Sequence, residues 1–277
     1  MAELKMIDMQ KQQDDREIPL QKVGVKNLQY PVHVLDRKNH TQTTSAVVDL
    51  YVNLPEHFKG THMSRFVTVF HKYHENLSMR HFLLMLEEIR TTLNAAEAFG
   101  TLRFPFYIEK KSPVTEQCGM MAYECIYEGT VRQSENRRDG EKKSEFFVSI
   151  SVPVTTLCPC SKAISEKGAH NQRGIVTVKV QNTSFFWIED IIELIESCAS
   201  CSLYSVLKRE DEKFVTEQAY KNPRFVEDLV REVYIGLRDF ASGEKPRAEK
   251  PFSWFSVEAE NFESIHNHNA YAYTEFT

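Results

Sequence analysis

One pattern occurs twice in this chain, and it restricts the fold more than any other feature of the sequence. Residues 59–69 read KGTHMSRFVTV and residues 167–178 read KGAHNQRGIVTV. Both contain Lys-Gly-x-His-x-x-Arg followed by a β-branched run, so His62 and Arg65 correspond to His170 and Arg173. The surroundings repeat as well. The strand-like run SAVVDLYVNL (45–54) precedes the first copy, and EFFVSISVPV (145–154) precedes the second. Each copy is followed by an apolar stripe at helical spacing. In 77–96 it is Leu77, Leu84, Ile89 and Leu93; in 187–208 it is Ile188, Ile191, Ile192, Ile195 and Cys198. A chain that repeats strand, loop, strand and helix in one order reads as two similar modules in tandem.

Residues 1–20 are polar without a sustained period and read as a mobile arm. Modules are then expected over 21–135 and 136–277, divided in the charged stretch RQSENRRDGEKKSE (132–145). Strands are expected near 44–54, 65–72, 102–110 and 117–131 in the first module. In the second they are expected near 145–154, 174–182, 251–260 and 269–276. NPRFVEDLVREVYIGLRDF (222–240) reads as a further helix, capped by Asn222, opened by Pro223, and striped by Phe225, Leu229, Val233 and Leu237. Long antiparallel pairs with helices on one face make the fold class α+β. The edges of such an open sheet are buried most simply by side-by-side oligomerisation.

Composition narrows the function classes. The 277 residues carry a net charge of −5, which disfavours a strongly basic nucleic-acid surface while leaving room for a local phosphate pocket. No run of 18 apolar residues and no signal-peptide core is present, so a cytoplasmic protein without a membrane partner is expected. Its six cysteines are then reduced thiols, and clusters of them point to metal binding or catalysis.

The first cluster is TTLCPCSKAISEKGAHNQRG (155–174), with Cys158, Cys160 and His170. Thiolate and imidazole suit a borderline metal such as zinc, and equally suit a nucleophile with its base. Cys-x-Cys is not a zinc-finger spacing, so two incidental thiols beside a satisfied histidine is a third reading. The second cluster, EAENFESIHNHNAYA (258–272), brings Glu258, Glu260, Glu263, His266 and His268 together. His266 and His268 point to one side if the backbone is extended, and Glu263 needs a turn to join them. Three protein ligands plus water, with an acid nearby, is the pattern of a catalytic metal. The third, KREDEKFVTEQAYKNPRFVED (208–228), reads mainly as a solvated charge run through Glu210, Asp211, Glu212 and Glu217. Glu227 stands apart because it borders an apolar face, where a carboxylate needs a specific donor such as a guanine edge. Cys198 and Cys201, and likewise Cys118 and Cys125, read as core packing.

PVTTLCPCSKAIS, KGAHNQRG, DEKFVTEQAYKNPRFVED and VEAENFESIHNHNAYA, together with FKGTHMSRF and VGVKNLQYPV, resemble the GTP cyclohydrolase I type B family. The resemblance covers the chain from about residue 20, although YIGLRDFASGEKPRAEKPFSWF (234–255) is longer than usual there. It implies tandem tunnelling folds in one chain, and homotetramers with active sites where subunits meet. The implied reaction turns GTP and water into 7,8-dihydroneopterin triphosphate and formate, feeding folate and queuosine synthesis. The implied cofactor is a divalent metal: zinc, manganese or ferrous iron. By the same resemblance Cys158, His170, His266 and Glu212 are metal ligands, with Glu217 the substitute should the register differ. Cys160 contacts the reacting base, Glu263 and His268 join it in moving protons, and Glu227 holds the purine edge. A triphosphate needs cations, for which Lys162, Lys167, Arg173 and, in the first module, Arg65 with its neighbour His62 are candidates. Three competitors remain: a tunnelling-fold nitrile reductase using a Cys nucleophile and NADPH, a non-catalytic metal or purine binder, and a related cyclohydrolase giving a cyclic-phosphate product.

Overall fold

A computed structural model describes residues 13–133, 143–181, 184–242 and 244–277. The start of the expected arm (1–12) and the expected module boundary at 135/136 lie outside the described residues. The chain divides into two compact units that interleave in sequence. One comprises residues up to Phe104 with Tyr127–Phe146, and the other Pro105–Ile126 with Phe147–Thr277.

In the first unit, β1 (Leu20–Asp36) and β2 (His40–Leu54) pair antiparallel from Leu20↔Leu54 to Asp36↔His40. Next come α1 (Met63–Tyr73), α2 (Met79–Thr92), the first part of β3 (Glu97–Lys111) and the last part of β4 (Cys118–Arg132). Along β2 the residues Ala46, Val48, Leu50 and Val52 are buried, following the two-residue repeat that sends alternate side chains to one face. The helices obey the other period. Phe66, Val69 and Phe70 of α1, and Phe82, Met85, Leu86 and Ile89 of α2, are buried. Ser78 caps α2, its side-chain oxygen accepting from the His81 amide. Phe82 meets Phe146 and Tyr127 edge-on at centroid distances of 5.6 and 6.3 Å, and Tyr127 meets Phe104 at 5.0 Å. Gly100 and Gly129 lie against the Phe82 and Leu86 side chains, so closely that a Cβ at either would come within 3.0 Å.

The expected strand at 65–72 is therefore a helix. The β-branched content of Val67, Thr68 and Val69 favours a strand locally, but Phe66, Val69 and Phe70 recur at helical spacing and bury together. The first copy of the repeated motif thus leads into α1, whereas the second leads into strand β6 (Asn171–Gln181). Strand β1, which no sequence signal announced, begins at the end of the polar start and runs to Asp36.

In the second unit, β5 (Lys143–Leu157, from Phe147 onward), β6, β8 (Phe255–Asn261) and β9 (Ala270–Phe276) pair antiparallel in that order, and the short β7 (Cys201–Ser202) pairs with β5. Its helices are α3 (Pro159–Ile164), α4 (Ile188–Cys198), α5 (Arg209–Lys221) and α6 (Val226–Arg238). The inward rows are Val148, Ile150, Val152 and Val154 on β5, Val176, Val178 and Val180 on β6, and Phe255, Val257 and Ala259 on β8. Buried Ile191, Ile192 and Ile195 of α4 and Leu229, Val230, Val233 and Leu237 of α6 complete this core, α6 lying against β8, β9 and α4.

Two expectations change here. The helix expected over 187–208 stops at Cys198, because the Ser200 amide bonds to the Thr155 carbonyl and Cys201 joins β5. The charge run after it forms α5. Asn222 does not cap the last helix: it closes α5, and its side-chain amide donates to the Ala199 carbonyl at 2.8 Å. α6 begins three residues after Pro223, with Phe225 at its N-cap.

Replacing Phe82 by alanine removes a fully buried ring from the aromatic cluster. It is expected to destabilise the protein by about 3–5 kcal/mol, read as a lowered midpoint in urea denaturation at an unchanged slope.

Candidate functional site

The buried face of the strands in the second unit turns polar at one end. Along β5 the inward row runs Val152, Val154, Thr156; along β6 it runs Val176, Gly174, Gln172; along β8 it runs Val257, Ala259, Asn261. The register places Val154 beside Gly174, Gly174 beside Asn261, and Thr156 beside Gln172. Thr156, Gln172, Asn261 and Ser200 are all buried. Buried polar groups need partners, and most find them locally. Ser200 Oγ accepts from the Leu157 amide at 3.0 Å, and Gln172 Nε2 donates to Thr156 Oγ1 at 2.9 Å. Asn261 Oδ1 is buried without a hydrogen-bond partner among the described residues, in the space left by the missing Cβ of Gly174.

The two sequence motifs meet on this polar end. Cys158 caps α3 and Pro159 takes its first position, where the absent N–H costs nothing. Cys158 Sγ accepts from the Ser161 amide at 3.4 Å, the Cys158 amide donates to the His170 carbonyl at 3.1 Å, and the His170 amide donates to Ser161 Oγ at 2.8 Å. The last two bonds hold the segments together, one through the backbone and one through the Ser161 hydroxyl. His170 Nδ1 lies 3.0 Å from Gln172 Oε1. An amide oxygen only accepts, so Nδ1 carries the proton and Nε2 presents its lone pair. The Gln172 amide is itself oriented by its bond to Thr156. Glu263 Oε2 stands 3.9 Å from His170 Nδ1, both side chains being largely buried. Cys158 is half-buried and Cys160 exposed.

Helix α5 approaches from the side. Val215 and Ala219 pack in one cluster with Leu157 and Ala169, the residues just before Cys158 and His170. At 3.6 residues per turn, Glu212 lies about 20° round the helix from Ala219, whereas Glu217 lies about 160° away. Glu212 therefore shares the face turned to the two motifs. Glu217 sits on the far face, 3.8 Å from Lys213. Glu212 itself is exposed. Its neighbour Asp211, read from sequence as part of a solvated run, is fully buried. It accepts from the amides of Val114 (2.8 Å), Thr115 (2.9 Å) and Lys208 (3.0 Å) and from Thr115 Oγ1 (2.5 Å). Burial opposes its charge, but the Thr115 hydroxyl and the three amides outweigh it and hold the carboxyl well below the usual range. A signal for Asp211 existed: it is the third residue of a helix, where an acid reaches back to the cap amide.

The remaining candidates come from α3, α6, the segment around the start of β6, the loop between β8 and β9 and, in the first unit, the start of α1. Lys162 Nζ donates to the Tyr220 carbonyl at 2.5 Å and sits 4.5 Å from the Tyr220 ring centroid, joining α3 to the end of α5. The Arg224 amide donates to the Leu157 carbonyl at 3.0 Å, which brings the start of α6 close to the cysteines. Glu227, in that first turn, is exposed and flanks the buried stripe, next to Val226 and one turn from Val230. Lys167 and Arg173 are exposed. His266 and His268 belong to the loop between β8 and β9, not to a strand, yet their rings still stack at 5.2 Å. His62 and Arg65 belong to the first unit, where they line a cavity of about 350 Å³ with Thr61, Thr92 and Asn94; Arg65 Nη1 donates to the Thr92 carbonyl at 3.2 Å. Burial pushes the thiols of Cys125, Cys198 and Cys201 up, in keeping with core packing, but Cys118 is exposed, contrary to expectation. Among the described residues no three His, Cys, Asp or Glu side chains stand close enough to enclose a metal ion.

A Cβ at position 174 would stand 2.5 Å from Asn261 Oδ1 and 3.2 Å from the Glu260 carbonyl. Gly174→Ala is expected to cost about 1–3 kcal/mol through overpacking, measured by urea denaturation, and to disturb the end of β8 that leads to Glu263.

Residues 6–272 match the family described as Type I GTP cyclohydrolase folE2. A GTP cyclohydrolase FolE2 of Syntrophus aciditrophicus (strain SB) is 50% identical over 270 residues, covering 98% of this chain and 99% of that protein. One of Geotalea uraniireducens (strain Rf4) is 47% identical over 270 residues, covering 98% and 93%. Among solved structures, a hyperthermostable mutant of Bacillus sp. TB-90 urate oxidase aligns with a TM-score of 0.53 at 8% identity, over 93% of this chain and 98% of the other. Uricase from Arthrobacter globiformis aligns with a TM-score of 0.50 at 8% identity, over 92% of each. The structural likeness establishes the fold alone, an α+β antiparallel sheet of the tunnelling type seen in uricases. The CPC, GAH and ESIH segments all fall inside the family match, and the chain belongs to the type I GTP cyclohydrolase FolE2 family.

Proposed function

We propose that this GTP cyclohydrolase works with a divalent metal held by Cys158, His170, Glu212 and His266, and turns GTP and water into 7,8-dihydroneopterin triphosphate and formate. The activity itself follows from family membership and from relatives named for it at 47–50% identity. The observation that carries the metal reading is His170: its bond to Gln172 Oε1 engages Nδ1 and leaves the Nε2 lone pair of the neutral ring for a metal, on a segment tied to Cys158 by a 3.1 Å backbone bond. An outer partner that fixes the tautomer in this way is usual for a metal-ligating histidine. The donor set of thiolate, imidazole and carboxylate accepts zinc, manganese or ferrous iron. Such a metal, when bound, supplies Lewis acidity that makes water nucleophilic near neutral pH.

The chain's own residues do the rest. Hydration of C8 and opening of the imidazole ring require protons to be delivered to ring nitrogens and the formate to be expelled. Glu263, beside His170 and largely buried, is placed to hold a proton there, with His268 and the exposed Cys160 as further carriers. The Glu227 carboxylate accepts from the N1–H and 2-amino donors of guanine and keeps the base still while the ring opens. Lys162, Lys167 and Arg173 meet the triphosphate. Arg65 and His62, lining the cavity of the first unit, do so for a site completed by another copy in a homotetramer. No helix among the described residues is long and apolar enough to cross a membrane.

Incubation with GTP and each of Zn²⁺, Mn²⁺ and Fe²⁺ is expected to release one formate per GTP and a product that fluoresces after oxidation. Cys158→Ala should lose metal and turnover together. Cys160→Ala should keep metal and lose turnover by about 10²–10⁴-fold, the usual scale for a proton-transfer group. GTP binding without formate release, or a product with the mass of a cyclic phosphate, would contradict the reading.

A further inference from the structure

Asp211 is buried far more completely than the start of a helix requires. Helix α6 begins with an acid at the same third position, Asp228, whose carboxylate accepts one amide hydrogen, from Phe225 at 3.3 Å. Asp211 accepts four hydrogens, from Lys208 at the start of α5 and from Val114 and Thr115 in the turn between β3 and β4. Four donors occupy the four lone-pair directions of a carboxylate. The turn it grips is closed on itself: the Ser112 amide donates to the Gln117 carbonyl at 2.9 Å, the Gln117 amide to Ser112 Oγ at 3.0 Å, and Ser112 Oγ lies 3.0 Å from Thr115 Oγ1. The first turn of α5 is thus clamped in rotation and in position along its axis. With no exposed surface, Asp211 cannot touch a substrate.

The next residue is Glu212, on the helix face that Val215 and Ala219 press against Leu157 and Ala169. A helix free to turn about its axis would carry Glu212 away from Cys158 and His170. We propose that Asp211 is a positioning residue that fixes Glu212 toward the two motifs by locking the start of α5 to the β3–β4 turn. This rests on the reading of Glu212 as a metal ligand.

The test is the equilibrium affinity of the full-length protein for Zn²⁺ or Mn²⁺, by competition with a chromogenic chelator, alongside urea stability. Asp211→Asn preserves shape but sets an amide N–H against donors. It is expected to weaken metal binding about 10- to 100-fold, the scale seen when an outer support of a ligand is removed. Thr115→Val should weaken it less, and Thr115→Ser should restore wild-type affinity. In a Glu212→Ala background, Asp211→Asn should cause no further loss of metal affinity while still lowering stability, because its effect passes through Glu212. A folded Asp211→Asn protein with wild-type affinity overturns the proposal, and so does an undiminished loss in the Glu212→Ala background. Should Asp211→Asn fail to fold, the Thr115 pair decides, and equal affinities for Thr115→Val and wild type overturn it. A wild-type protein that binds no metal would sink the ligand reading as well, whereas metal binding indifferent to Asp211 would remove the positioning role alone.

Discussion

The Gln172 amide joins the interior of the second unit to its chemistry. One end of it donates to Thr156 on the neighbouring strand, and the other accepts from His170 beyond the end of the sheet. The bond to Thr156 is buried and the bond to His170 partly so, and in such a setting an unmade hydrogen bond costs more than a made one returns. The orientation of the amide is therefore decided by the core, and the amide in turn decides which nitrogen of His170 carries the proton. A sheet of valines that ended in solvent would leave that imidazole free to choose.

Around this link the site is assembled from backbone bonds more than from side-chain contacts. The Cys158 amide, the His170 amide and the Arg224 amide each tie a neighbouring segment to the strand ends. α5 reaches the same place through apolar packing of Val215 and Ala219, and its first turn is held by Asp211. The side chains of Cys160, Glu227, His266 and His268 are exposed at the surface of this frame, where the proposed contacts with a substrate would be open to them.

Part of the candidate site was legible before the fold. Cys158, Cys160 and His170 stood out because thiols and an imidazole in one polar segment are chemically unusual, and the structure does join those segments. Glu263 was expected to join His266 and His268 through a turn; it lies in the loop after Asn261, 3.9 Å from His170. The repeated Lys-Gly-x-His-x-x-Arg motif was a poorer guide to local structure, since the first copy enters a helix and the second a strand. Val67-Thr68-Val69 and Val176-Thr177-Val178 are alike as short strings, but one lies between phenylalanines at helical spacing and the other is paired on both sides in a sheet. Short β-branched runs do not decide between these outcomes, because neighbours distant in sequence do.

The sequence by itself determined the α+β class, the apolar rows of β5, β6 and β8, the stripe of α6 from Leu229 onward though not the exposed Phe225, and the residue types able to bind a metal or move a proton. These depend on periodicity and side-chain chemistry, which are local. The tertiary structure alone decided that Asp211 is buried while Glu212 is exposed, that Glu217 faces away, and that His170 is held through Gln172 and Thr156. Its place as third residue of a helix marks Asp211 as a capping acid, but its full burial follows only when a turn nearly a hundred residues earlier in the chain brings its amides to it.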